Sequence, residues 1–204
     1  MVVSVILSVF NGERFVRDAV LSILNQTFTD FELLIVNDAS TDTTPEILKE
    51  LVMRDQRVRV ITNSTNLGLT RSLNVALVAI DKRGPSSDIW PPQDDTNYIA
   101  RMDADDIALP TRLQKQLAFL EAHPDVDVVG TAYEWIDEHG QAMGRPHVIT
   151  NPDDIHRTLP RTNPLLHSSV IMRRSALVQA HGYDESYRRA QDYDLWLRLS
   201  RTSR

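Results

Sequence analysis

Three carboxylates fall within four residues at Asp103-Ala104-Asp105-Asp106, directly after an apolar run that ends at Met102 and shortly before Pro110. Like charges this close repel, so at the end of a buried strand they need a cation or hydrogen-bond donors to meet them. Oxygen-only ligands suit Mg2+ or Mn2+, above all an ion that substrate phosphates also hold. An acidic turn, or a cap for the next helix, accounts for the same residues. A lone Asp-x-Asp does not separate these readings.

The elements that would position the cluster alternate along the chain. Residues 2–9 are a nearly continuous β-branched run and predict a strand buried on both faces. Phe15, Ala19 and Ile23 predict a helix over 13–25, and residues 31–36 a second buried strand closed by Asn37-Asp38. Thr44-Pro45 supplies a cap and a proline at the first helical position, ahead of the stripe Ile47, Leu48, Leu51 and Val52. A strand over 58–61 follows, then a helix carrying Leu69, Leu73, Ala76, Leu77 and Ile80, then a strand over 98–102. This alternation predicts a parallel sheet with right-handed crossovers, whose ligands bind beyond the carboxyl ends of the strands. Phe10-Asn11-Gly12, Asn37-Asp38 and Asp103 to Asp106 all fall on that edge, which points to a nucleotide site.

The second half is less regular. Leu113, Leu117 and Leu120 predict a helix ended by His123-Pro124, and strands are predicted over 126–129 and 167–172. Leu195, Trp196 and Leu199 predict a last helix from Asp192 almost to Arg204. It ends with no capping glycine, so the sequence reads as part of a longer protein, truncated at its C-terminus. Residues 82–97, with Pro85, Pro91 and Pro92, read as a surface insertion rather than a domain boundary. The expectation is one domain over 1–204, with a nucleotide-binding half over 1–106 and a second half over 107–204.

Composition narrows the class. A net charge of −6 argues against nonspecific nucleic-acid binding. Without cysteine there is neither a disulfide nor a thiolate metal site, which fits a reducing cytoplasm. The opening residues lack a basic region, and no run approaches the ~20 apolar residues that span a bilayer. A soluble chain is expected.

Taken in order, several segments resemble the family 2 glycosyltransferases, the large inverting group with the GT-A fold. They are Ser4 to Gly12, Leu24-Asn25-Gln26-Thr27-Phe28, Glu32 to Asp42, Asn66-Leu67-Gly68 and Asp103-Ala104-Asp105-Asp106. Pro110-x-Arg112-Leu113, His167-Ser168-Ser169-Val170, Gly182-Tyr183-Asp184-Glu185 and Gln191 to Leu199 continue the match over nearly the whole chain. The resemblance implies a Rossmann-like, mostly parallel sheet flanked by helices, with a smaller mixed acceptor-side region. It also implies inverting transfer of one sugar from a nucleoside-diphosphate sugar, a UDP-sugar foremost, to an acceptor hydroxyl. The setting would be surface polysaccharide or lipid-linked glycan synthesis, in the cytoplasm or at the inner membrane face.

By the same resemblance Asp105 binds Mg2+ or Mn2+ and Asp103 contacts the donor, while Asp106 supports the loop or caps the next helix. Asp38 accepts a hydrogen bond from uracil, with a cap for the turn at 39–42 as its alternative. Ser8, Phe10 and Asn11 line the base and ribose, with the Phe10 ring against the base face. Glu13 matches an acidic position of the family or favours the helix N-terminus. Asn66, Gly68 and Arg71 border the donor pocket, and Arg71 reads equally well as a solvated helix residue. Asp192 matches the aspartate of the family's Glu-Asp motif, a general base. Gln191 replaces the glutamate, and the alternative makes Asp192 an N-cap and Asp194 a helix-dipole partner. His167 is a candidate further metal ligand, or a structural histidine.

Processive members carry Gln-x-x-Arg-Trp beside membrane helices, a pattern missing from this sequence, so one transfer per acceptor is expected. A nucleotidyltransferase would show a glycine-rich, basic loop where Val9-Phe10-Asn11-Gly12-Glu13 has one glycine and an acid. A catalytically silent nucleotide-binding domain is the other alternative.

Overall fold

Aliphatic runs with few polar interruptions form the parallel strands β1 (Val3–Val9), β2 (Phe31–Asn37), β3 (Val58–Thr62) and β4 (Tyr98–Asp103). The computed structural model describes residues 3–81 and 97–201, so all but Asn97 of the insertion expected over 82–97 lies outside the described residues. Every residue of β2 is buried, as a central strand covered on both faces requires. On one face, Val5, Leu7, Leu33 and Ile35 pack against α1 (Val16–Leu24), α2 (Thr44–Arg54) and α4 (Arg112–Ala122). On the other, Ile6, Leu34 and Val36 pack against α3 (Leu69–Asp81).

The second half joins the same sheet. Its elements are β5 (Val128–Val129), the hairpin β6 (Trp135–Ile136) and β7 (Ala142–Gly144), α5 (Pro152–Thr158), and β8 (Ile171–Arg173). α6 (Arg174–Gln179) and α7 (Gln191–Leu199) complete the second face through Ala176, Leu177, Leu195, Trp196 and Leu199. The strand order is β3-β2-β1-β4-β8-β5, with β8 antiparallel to β4 and to β5. Because β2 and β3 lie on one side of β1 and β4 on the other, the order reverses between β1 and β4. That boundary is where an open α/β sheet leaves a crevice for a ligand.

Several boundaries differ from the sequence expectations, each for a local reason. The helix expected from residue 13 starts at Val16, because Gly12 O first accepts the N–H groups of Phe15 and Val16 in a turn. Thr44 does not cap α2: it lies inside the helix, Asp42 Oδ1 accepts its N–H at 3.0 Å, and its own hydroxyl accepts Gly12 N–H at 2.9 Å. The strand expected over 167–172 opens as a 3-10 turn at His167–Ser169, so only Ile171–Arg173 pairs with β4. The strand at 126–129 shrinks to Val128–Val129, and α7 ends at Leu199. The short helices α5 and α6 carry too little periodic signal to be read from sequence. Among the described residues no helix is long and apolar enough to cross a membrane.

The β1–α1 connection allows no side chain at residue 12, since a Cβ there would sit 2.4 Å from Val9 Cγ2 in the core. Gly12→Ala is expected to cost about 1–3 kcal/mol, read as a lower urea midpoint with an unchanged slope.

Candidate active site

Strand register gathers the expected site residues at the crevice. Ser8 pairs with Val36 of β2 on one side and with Asp103 of β4 on the other, and Val9 pairs with Asn37. Phe10, Asp38 and Asp103 therefore end three adjacent strands, whose outer members lie roughly 10 Å apart, two strand spacings. Phe10 is 50% exposed, which leaves its ring free to meet a flat ligand.

The loops after β1 and β2 are laced together. Asn11 N–H donates to Ser40 Oγ at 3.0 Å, and Asn11 Oδ1 accepts Thr41 N–H at 2.8 Å. Glu13 N–H donates to Asp42 Oδ2, while Glu13 Oε2 accepts both the N–H and the hydroxyl of Thr43. The side chains of Asn11 and Glu13 thus turn to the 39–43 loop and hold it. Asn11 and Ala39 both sit at positive φ, 52° and 60°. Backbone strain of this kind survives where surrounding bonds over-determine it, and it clusters at ligand sites.

Asp38 is buried and does not cap the turn at 39–42; Asn37 Oδ1 accepts Ser40 N–H there instead. Asp38 Oδ1 accepts Leu67 N–H and the Asn63 amide, each at 2.8 Å, and Oδ2 accepts Gly68 N–H at 2.8 Å. Burial opposes ionisation of Asp38, but these donors outweigh it and hold the carboxyl below its ordinary range. Gly68 itself needs φ +85°, which glycine adopts freely. Asn66 is exposed beside it, and Arg71 is paired with Glu185 at 3.2 Å.

At the acidic cluster the three carboxylates separate. Asp103 accepts from the fully buried Arg101 guanidinium, and its N–H donates to Ser168 Oγ at 2.9 Å. Asp105 is exposed; the surrounding protein, and then the charges of Asp106 and Asp103, hold its carboxyl above its ordinary pKa. The segment after the cluster is anchored to α1: Ser22 Oγ accepts Ala108 N–H, and Gln26 bridges Leu109 O and Leu113 N. Arg112, buried and lowered by that burial to about 10, ties α4 to the carbonyls of Arg101 and Val170.

His167 is not gathered with Asp103 and Asp105. Among the described residues no group of three or more His, Asp or Glu side chains is set to hold a metal ion. Instead His167 Nε2 meets the Tyr183 hydroxyl at 2.9 Å, with both rings in the core beside Trp196. Burial, reinforced by the charge of Arg101, keeps His167 neutral with a pKa well below its ordinary value. Asp192 is not the N-cap of α7, a position held by Ala190, and Asp194 pairs with Arg198 at 2.8 Å. Asn163 Nδ2 donates to Asp192 Oδ2 at 2.8 Å. Asn163 and Arg101 were not singled out from the sequence, and Ser168 appeared there only within the His167-Ser168-Ser169-Val170 match, with no role of its own. The Asn163-Pro164 pair marks a turn, and nothing in it announces a partner 29 residues away.

The glycosyl transferase family 2 model matches residues 4–180. The chain belongs to that family. EpsE of Bacillus subtilis is 37% identical over 97% of this chain and 66% of its own length. WbnJ of Escherichia coli, an O-antigen biosynthesis glycosyltransferase, is 31% identical over 97% of this chain and 71% of its own. The chain spans 60% to 66% of the first three curated relatives it matches. Staphylococcus aureus TarS 1–349 in complex with UDP-GlcNAc superposes with a TM-score of 0.73 at 24% identity, covering 98% of this chain and 53% of that one. The Pyrobaculum calidifontis mannosyltransferase PcManGT, in complex with GDP-Man and Mn2+, gives 0.69 at 17% identity over 97% and 51%. These likenesses show the GT-A fold, a mixed sheet that is mostly parallel and flanked by helices.

The raised pKa of Asp105 has a consequence for a family 2 fold without its ligand. A carboxyl whose folded pKa exceeds its unfolded one contributes stability below the unfolded pKa and loses it as pH rises through the folded value. Asp105→Asn is therefore expected to raise the Tm slightly in metal-free buffer at pH 7. The gain should fade as pH falls from the raised folded pKa toward about 3.9, the unperturbed carboxyl value, and be absent below it.

Proposed function

We propose that this family 2 glycosyltransferase transfers one sugar, with inversion, from a UDP-sugar to an acceptor hydroxyl in surface polysaccharide or lipid-linked glycan assembly. We place it in the cytoplasm, at the inner membrane face. The observation that carries the reading is the arrangement of carboxylates: an acidic cluster at the β1/β4 boundary with Asp105 exposed, and Asp192 held by Asn163. The 163–169 segment links the two, since its Ser168 Oγ accepts Asp103 N–H. The UDP-GlcNAc of TarS, the GDP-Man and Mn2+ of PcManGT and the O-antigen role of WbnJ support the reading.

A divalent cation fits the residues present. Asp105 offers exposed oxygen ligands in a crowded acidic turn, and the Arg101 guanidinium close by is bonded to Asp103. Mg2+ or Mn2+ bound there would neutralise the leaving diphosphate. Two carboxylates cannot fill an octahedral shell, so the ion and the donor should bind together. Phe10 packs on the base, Asp38 Oδ2 accepts the uracil imide N–H, and Ser8, Asp103, Asn66 and Gly68 border the ribose and sugar. Asn11 and Glu13 act by holding the loop that Phe10 begins, and Arg71 by its pair with Glu185. His167 holds Tyr183.

Asp192 is the general base. Asn163 takes Oδ2 and leaves Oδ1 for the acceptor hydroxyl. That proton passes to Asp192 as the hydroxyl oxygen bonds the anomeric carbon and the diphosphate leaves from the opposite face. One displacement inverts the centre.

Calorimetry with UDP tests both halves. UDP should bind wild type with Mn2+ and bind poorly without it, and Asp105→Ala should remove that difference; metal-independent binding by both proteins would refute the metal site. Asp192→Asn should keep UDP affinity and lose donor turnover by about 10²–10⁴-fold, the usual contribution of a positioned base. Turnover equal to wild type would overturn that assignment.

A further inference from the structure

Many arginines of the described residues pair with a carboxylate, among them Arg14, Arg17, Arg57, Arg145, Arg157 and Arg198. Arg161, Arg188, Arg189 and Arg201 are exposed, and their side chains carry no hydrogen bond or ion pair among the described residues. The first three stand near the proposed base along the chain. Arg161 stands two residues before Asn163, whose amide holds Asp192, and Arg188 and Arg189 stand four and three residues before Asp192 itself.

The nearby acids are already committed. Asp184 Oδ1 accepts Ser186 N–H, Glu185 pairs with Arg71, Asp192 takes Asn163, and Asp194 takes Arg198. The loop that presents Arg188 and Arg189 is also pinned. Thr70 Oγ1 donates to Tyr187 O and Asn74 Nδ2 to Tyr183 O, both at 2.8 Å. Ala190 then turns the chain into α7 at φ +58°, a left-handed conformation that disfavours a residue with a Cβ by roughly 1–2 kcal/mol. In a chain of net charge −6, three cations without a carboxylate partner among the described residues thus stand within four residues of Asp192, or of the Asn163 that holds it, along the chain.

We propose that Arg161, Arg188 and Arg189 form a cationic rim that binds a phosphate or diphosphate group carried by the acceptor. The inference rests on Asp192 being the base, since the base fixes which side of the crevice the acceptor occupies. The donor diphosphate would instead be met by the ion that Asp105 would hold. Guanidinium groups suit phosphate because their planar forks bond its oxygens in pairs. Tyr187, 45% exposed beside Arg188, adds an aromatic surface for an acceptor sugar.

The test is calorimetric titration of inorganic phosphate into protein saturated with UDP and Mg2+, comparing wild type with the triple variant Arg161→Gln, Arg188→Gln and Arg189→Gln. Phosphate affinity should fall at least about ten-fold in the variant, as loss of charge-assisted bonds requires, with UDP affinity unchanged within about two-fold. Because these side chains have no partner in the fold, the Tm should stay level, as for other surface substitutions. Sedimentation with phosphatidylglycerol vesicles is the second arm, and wild type and variant should behave alike. Equal phosphate affinity in the two proteins would overturn the proposal. So would a parallel loss of UDP affinity, which assigns the arginines to the donor, or arginine-dependent vesicle binding alone, which assigns them to the membrane surface. If UDP fails to bind wild type, the donor reading fails by itself, and the same phosphate comparison on the UDP-free protein still decides the rim.

Discussion

Arg101 carries a positive charge into the interior of the sheet, and the crevice is arranged around it. Its side chain on β4 is fully buried, donates to Met102 O and to Asp103, and leaves Nε without a partner. Taking a guanidinium out of water costs several kcal/mol, and an ion pair offsets that only at close range. Asp103 is therefore bound to the fold. The unneutralised negative charge of the cluster is displaced outward to Asp105, where a cation from solvent can reach it. The same buried charge helps keep His167 neutral and adds to the burial that lowers Arg112. One internal cation thus sorts its neighbours into a bonded carboxylate, an outward carboxylate and a neutral imidazole.

Around this charge the loops are held by many weak bonds rather than by apolar packing. Each hydrogen bond between the 10–13 and 39–44 loops contributes about 0.5–1.5 kcal/mol, and the set supports the positive-φ backbone at Asn11 and Ala39. Asp38 performs the same service for Leu67 and Gly68. Such lacing costs little reorganisation when a ligand arrives, because the donors and acceptors that would line it are already oriented.

The antiparallel strand β8 joins the second half of the chain to the first. By pairing Ile171 with Ala100 it draws the 163–169 segment to the end of β4, where Ser168 meets Asp103 and His167 meets Tyr183. Asn163, on the same segment, reaches Asp192. A short strand of three residues thereby sets one segment against two carboxylates far apart in sequence, Asp103 and Asp192.

Much of this was legible in the sequence. The alternation of buried strands with amphipathic helices set the parallel sheet, and the position of Phe10, Asp38 and Asp103 at strand ends put them on one edge. Those features are local, since a period of two or of 3.6 and the end of an apolar run are properties of neighbouring residues. The partners were not legible. Glu13 and Asn11 face a loop about thirty residues on, His167 bonds a tyrosine instead of joining the acidic cluster, and Asp192 takes an asparagine that no motif marks. Three arginines near Asp192 along the chain look like any surface cation, and only the structure shows that they have no carboxylate partner among the described residues. Periodicity along a chain decides which way a residue faces; which group it meets depends on how separate elements pack, and only the tertiary structure decided that.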